Sequence, residues 1–175
     1  MRNSIDKDTY LEIYRILDEV SPVPFDCGRI CGSACCISES DDDGIFLLPG
    51  EEMLHDREDW ESWEIVDTEH FAVPESWNKK AVFVTCKKNG VCDRKRRPIQ
   101  CRTFPLVPGF TGGELSLEKN GMLLGYACPL LEQETPLNPD FERETKRAWG
   151  ILVKDDRIRD WVAFLTERCG RICAG

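Results

Sequence analysis

The 175-residue chain has no apolar run approaching the roughly 20 residues of a membrane-crossing helix. Its opening stretch, MRNSIDKDTYLEIYRILDEV, lacks both the uninterrupted apolar segment and the small-residue cleavage site of a secretory leader. A soluble, cytoplasmic protein is expected. Positive charge is in deficit: 23 Lys and Arg against 32 Asp and Glu leave a net charge of -9. This excludes broad binding to nucleic acid or anionic membrane, both of which rest on cationic surface. No Gly-rich loop follows a strand to suggest dinucleotide-type binding. Histidine is scarce, with only two, so a cysteine nucleophile would have few bases to draw on.

Cysteine, in contrast, is abundant: there are ten, four of them in the stretch CGRICGSACC at 27–36. In a reducing compartment such thiols do not persist as disulfides, whereas metal coordination keeps them useful. Eight form a spaced set of candidate ligands: Cys27, Cys31, Cys35, Cys36, Cys86, Cys92, Cys101 and Cys128. Each group falls on an expected turn or loop. That suits a metal site, because thiolates about 2.3 Å from one ion must converge from different directions. Packing is the ordinary role of any one buried cysteine, but it explains four within ten residues poorly. Eight thiols could furnish one centre or two, and zinc and iron–sulfur clusters both accept Cys₄ sets. The adjacent Cys35 and Cys36 can face one ion only if the backbone turns between them.

The rest of the pattern predicts a small α+β fold, one domain over 1–175, with short β-hairpins and flanking helices around the cysteine-rich centre. The metal-binding core spans 27–128 and a C-terminal helical segment spans 138–170. Tyr10, Ile13, Tyr14, Leu17 and Val20 recur at helical spacing after a capping Asp6. The polar turn SESDDDG leads to a short strand, IFLL. Pro49, Glu51 and Glu52 suit a helix start, giving a second helix to about Trp60. WEIVDTEHFAV and AVFVTC read as strands, with hairpins through Asn89-Gly90 and Asn120-Gly121. RTFPLVPGF reads as a loop, and 139 onward as two helices or one kinked helix.

The segment CKKNGVCDRKRRPIQCRTFP sets Arg94, Lys95, Arg96, Arg97 and Arg102 beside cysteines in an otherwise acidic chain. A Cys₄ centre carries excess negative charge, and nearby cations offset it and favour the thiolate form. A solvated basic loop or a local phosphate-binding patch is the simpler alternative.

CGRICGSACC, CKKNGVC and RPIQCRTFP together resemble the zinc- or iron-chelating family named for its CxxCxxCC cluster, in which that cluster is followed by a C…GxC pair and an RPxxCRxFP box. The likeness extends over 27–128, includes the LLPGEEM stretch, and is most specific at 97–105. The first cluster is C-x3-C-x3-CC here, looser than the family's, and Lys95 lies where a tyrosine usually precedes the Arg-Pro pair. The resemblance implies a metal-ion or iron–sulfur-cluster binding protein, with zinc or an iron–sulfur cluster as cofactor; a protein partner is a separate expectation. A related cluster in flagellin lysine methylases implies an alternative: an enzyme, methyltransferase-like or redox, that uses the centre in chemistry.

Other features read as structural. His55, in the expected second helix, and His70, in a strand, have no ligand-type spacing to the cysteines. DDDG at 41–44 is a polar turn, because Gly50 falls where a calcium loop needs its glutamate. Trp60, Trp63 and Trp77 suit packing. Cys169 and Cys173 lie outside the family pattern; they are equally well two ligands on one helical turn or ordinary terminal thiols.

Overall fold

The first helix, α1 (Lys7–Asp18), begins as its sequence dictates: the Asp6 carboxylate accepts the Thr9 N–H at 2.8 Å. It buries the stripe Tyr10, Ile13, Tyr14 and Leu17. The computed structural model describes residues 4–36, 44–67, 73–78, 80–86, 94–119, 128–132 and 135–173. After the proline-rich bend at 21–26 come a one-turn helix, α2 (Gly28–Cys31), and a tight 3-10 turn, Ala34–Cys36.

Three antiparallel strands follow, β1 (Ile45–Phe46), β2 (Trp60–Asp67) and β3 (Lys80–Cys86), with β3 in the middle. The register Ile45↔Val84 and Trp63↔Val84 places Val84 at the centre of a small cluster with Leu47 and Trp60. A short helix α3 (Ile99–Thr103) leads through a cis Phe104–Pro105 peptide into a ribbon of β4 (Leu106–Thr111) and β5 (Glu114–Lys119). A single turn, α4 (Pro129–Glu132), precedes two long helices, α5 (Pro139–Leu152) and α6 (Asp156–Cys173). The fold is α+β, and no helix among the described residues is long and apolar enough to cross a membrane.

The main core lies where α1, α5 and α6 meet the ribbon, around Ile13, Leu17, Phe141, Trp149, Leu152, Ile158 and Val162. A bend after α5 carries the chain into α6. The buried Asp155 secures it, accepting the Ile5 N–H at 3.1 Å and the Arg157 N–H at 2.9 Å.

Two expectations need correction. The second helix does not form: 3-10 turns at Glu51–Leu54 and Arg57–Asp59 flank extended backbone at His55 and Asp56, and Trp60 already opens β2. Tertiary hydrogen bonds to Glu51, described below, outcompete a continued helix. Nor is RTFPLVPGF a loop. Pro108 sits inside β4 opposite Leu117, a position open to it because, among the described residues, β4 pairs on one side only. The ribbon turns at Gly112-Gly113, both at positive φ, as a two-residue I′ hairpin requires. The expected turns at Asn89-Gly90 and Asn120-Gly121 lie outside the described residues, as do His70 and the DDD of 41–43.

Candidate metal centre

The bend at 21–26 delivers the first cysteine cluster to a hydrophobic satellite separate from the main core. Val23, Cys128 and Leu130 form it, with Cys27, Phe104 and Leu131 packed against them. Gly32, at φ +64, closes α2 in the left-handed conformation, and its N–H bonds the Gly28 carbonyl. This reversal carries the chain from Cys31 back to Cys35.

Four of the eight candidate cysteines, Cys27, Cys31, Cys35 and Cys128, line one cavity of ≈ 20 Å³, whose remaining walls are Ile30, Phe104, Pro129 and Leu130. A space of that size holds about one water-sized body. No disulfide joins any cysteine whose side chain is described. Among the described residues, no three His, Cys, Asp or Glu side chains are already gathered closely enough to hold an ion. The donor types nonetheless suit a thiophilic metal: among the described residues four cysteines, and no Asp or Glu, line the cavity.

Electrostatics at the cavity point the same way. Burial pushes the Cys27 thiol up, as do Cys35, Asp26 and Cys31, while Arg97 pulls it down. Burial also raises Cys128; the backbone N–H groups of Leu130 and Leu131 favour its thiolate, and Cys31 and Cys35 oppose it. The thiols thus resist joint ionisation, and a cation among them would relieve that opposition.

The other candidates part company here. Cys101, exposed on α3, lines a neighbouring cleft of ≈ 440 Å³ together with Cys27, Cys35, Arg94, Arg97 and Arg102. Cys36 lines neither cavity, and its Sγ is 3.9 Å from that of Cys35. Cys86, at the end of β3, packs against the Leu47, Trp60 and Val84 cluster and also lines neither. Cys92 lies outside the described residues; Cys169 and Cys173 fall on α6, with side chains outside them.

The basic segment also divides. Arg97 acts on Cys27, and Cys27 in turn acts on Arg94. Arg94 also donates to the Leu17 and Val20 carbonyls at the end of α1. Arg96 pairs with Asp59 at 2.6 Å. Arg102 is buried: it donates to Asp18, to the Arg97 carbonyl at 2.6 Å and to the Lys95 carbonyl at 2.9 Å, and stacks 4.3 Å from the Tyr14 ring centroid.

Sequence reasoning missed the acid beneath these residues. Glu51 is fully buried and accepts from the Tyr14 hydroxyl (2.7 Å), the Ile99 N–H (2.7 Å) and the Leu48 N–H (3.0 Å). Its Ile99 contact fixes the start of α3, and so the direction of Cys101 and Arg102. A glutamate after Pro-Gly ordinarily faces water, so the available signal was only the pairing of LLPGEE with the RPIQCR box. His55 joins the same group, its Nε2 2.8 Å from the Tyr14 hydroxyl.

No protein-family model matches this chain, and no curated protein or solved structure matches it either.

Proposed function

We propose that this protein binds a metal ion or an iron–sulfur cluster through Cys27, Cys31, Cys35 and Cys128. The observation that carries the reading is the meeting of one local trio and a cysteine about a hundred residues later around a single cavity. The resemblance of CGRICGSACC to the cluster of the CxxCxxCC chelating family agrees with it, though it rests on the same thiols and no family model matches the chain. In this reading Arg97 and the backbone N–H groups behind Cys128 offset thiolate charge, the means by which proteins tune such centres.

Anaerobic purification with metal and acid-labile sulfide analysis and an absorption spectrum tests it. A colourless protein with stoichiometric zinc identifies a zinc site; a brown protein containing sulfide identifies a cluster. Reduced protein that takes up neither zinc nor iron with sulfide on reconstitution overturns the reading.

One observation favours a second reading, an enzyme that uses the centre, methyltransferase-like or redox. The ≈ 440 Å³ cleft shares Cys27 and Cys35 with the thiol cavity, so a small molecule bound there would touch the donor set. Four saturated thiolates leave no open position, whereas a catalytic metal keeps one. Wild-type protein whose metal is held by three of the four thiolates, with an exchangeable small ligand in the fourth position, would select the enzyme.

A further inference from the structure

Cys36 has no place in the site just described. It lines neither cavity and is absent from the satellite core, yet its sulfur stands 3.9 Å from that of Cys35, which lines both. The two occupy a short 3-10 turn, Ala34–Cys36, with Cys35 exposed and Cys36 half-buried. Gly32 and Ser33, both in the left-handed region, bring the chain into that turn.

We propose that Cys35 and Cys36 form a reversible disulfide under peroxide, and that this bond withdraws Cys35 from the donor set and unloads the centre. The unloading rests on the metal-binding reading above; the bond itself does not. Closing it moves the sulfurs from 3.9 Å to bonding distance, about 2.05 Å, through side-chain rotation together with adjustment of the short turn's backbone. Neighbouring Cα atoms across a trans peptide lie about 3.8 Å apart, below the usual disulfide range of about 4.4–6.8 Å. Such a bond is strained and easily reduced, which marks it as labile rather than structural.

The chemistry balances with hydrogen peroxide as the oxidant. The Cys36 thiolate attacks one peroxide oxygen, the O–O bond breaks, hydroxide leaves and Cys36 becomes a sulfenic acid. The Cys35 thiolate then attacks that sulfur, the S–O bond breaks, a second hydroxide leaves and the S–S bond forms. Two protons convert the hydroxides to water. The thiols have lost two electrons and the peroxide has gained them. A dithiol such as dithiothreitol returns the electrons by exchange.

The test uses full-length protein, reduced, desalted anaerobically and loaded with zinc or, where it purifies with one, its cluster. Peroxide is added while metal release is followed with a chromogenic chelator, and the products are mapped by tandem mass spectrometry of the tryptic peptide that runs from Ile30 to Arg57. Wild type is expected to lose two hydrogen atoms between Cys35 and Cys36 as metal appears, and to reload after dithiothreitol. Cys36→Ser is expected to load metal normally in the absence of peroxide and to release it about tenfold more slowly in its presence. Release from Cys36→Ser at the wild-type rate, or an oxidised bond that excludes Cys36, overturns the proposal. If reduced wild type binds no metal, the metal reading and the unloading role both fall. The same spectra still decide whether the Cys35–Cys36 bond forms.

Discussion

The Tyr14 hydroxyl lies 2.7 Å from Oε1 of Glu51, a hydrogen bond between the middle of α1 and a carboxylate with no exposure to solvent. Burial raises the Glu51 pKa, and its hydrogen bonds to Ile99, Leu48 and Tyr14 and the nearby Arg102 act in the opposite direction. Three donors converge on one acid, so its loss would strand two backbone N–H groups at once.

Glu51→Ala is therefore expected to destabilise the protein by about 3 kcal/mol or more, against about 1–2 kcal/mol for Tyr14→Phe, which leaves the two backbone donors satisfied. Urea unfolding of both variants checks the order. Equal losses would show that the backbone contacts contribute little.

Arg102 and Asp18 form an asymmetric pair, with the guanidinium 1% exposed and the carboxylate 41% exposed. Arg102→Lys loses the fork that reaches two carbonyls and the stack on Tyr14, an expected cost of about 2 kcal/mol or more. Asp18→Asn removes only a solvent-screened partner and is expected to cost below about 1 kcal/mol. Denaturant midpoints of the two variants should separate accordingly.

Burial, aided by Arg102, pushes the His55 pKa down to about 4, with Asp59 and Asp56 opposing. The imidazole is then neutral in the folded protein while the unfolded chain takes up a proton near 6.5. Below that pH the unfolded state binds more protons, so this contribution is complete above about 6.5 and is lost as pH falls through about 4. The raised Glu51 pKa has the opposite sign, so the relevant quantity is the difference between wild type and His55→Gln. Wild type should lose more melting temperature than the variant between those pH values. Parallel curves would contradict the neutral buried imidazole.

Metal retention should follow position in space rather than in sequence. Cys27→Ser and Cys128→Ser are expected to abolish stoichiometric metal content, whereas Cys86→Ser, packed against the Leu47, Trp60 and Val84 cluster, should retain it. Metal analysis after identical anaerobic purification reads the contrast, and loss in all three would restore Cys86 to the site.

Local periodicity made much of the fold legible. The stripe from Tyr10 to Leu17 and the Asp6 cap define α1, and three-to-four spacing beyond 139 resolves into α5 and α6. The convergence of Cys27, Cys31 and Cys35 is short-range and shows in their spacing. Cys86 and Cys101 could not be sorted in this way, because strand register and the Glu51-anchored start of α3 decide where they point. The false helix before Trp60 has the same origin: its acidic first turn suits a helix, but the first acid is committed to long-range partners.

Cys27 and Cys128 belong to the satellite of Val23 and Leu130 rather than to the assembly of α1, α5 and α6. Two unequal bodies of apolar contact can come apart at different free energies, the smaller first. Amide exchange around Cys27 and Cys128 is therefore expected to outpace that of α5, the satellite opening while the large helices stay closed.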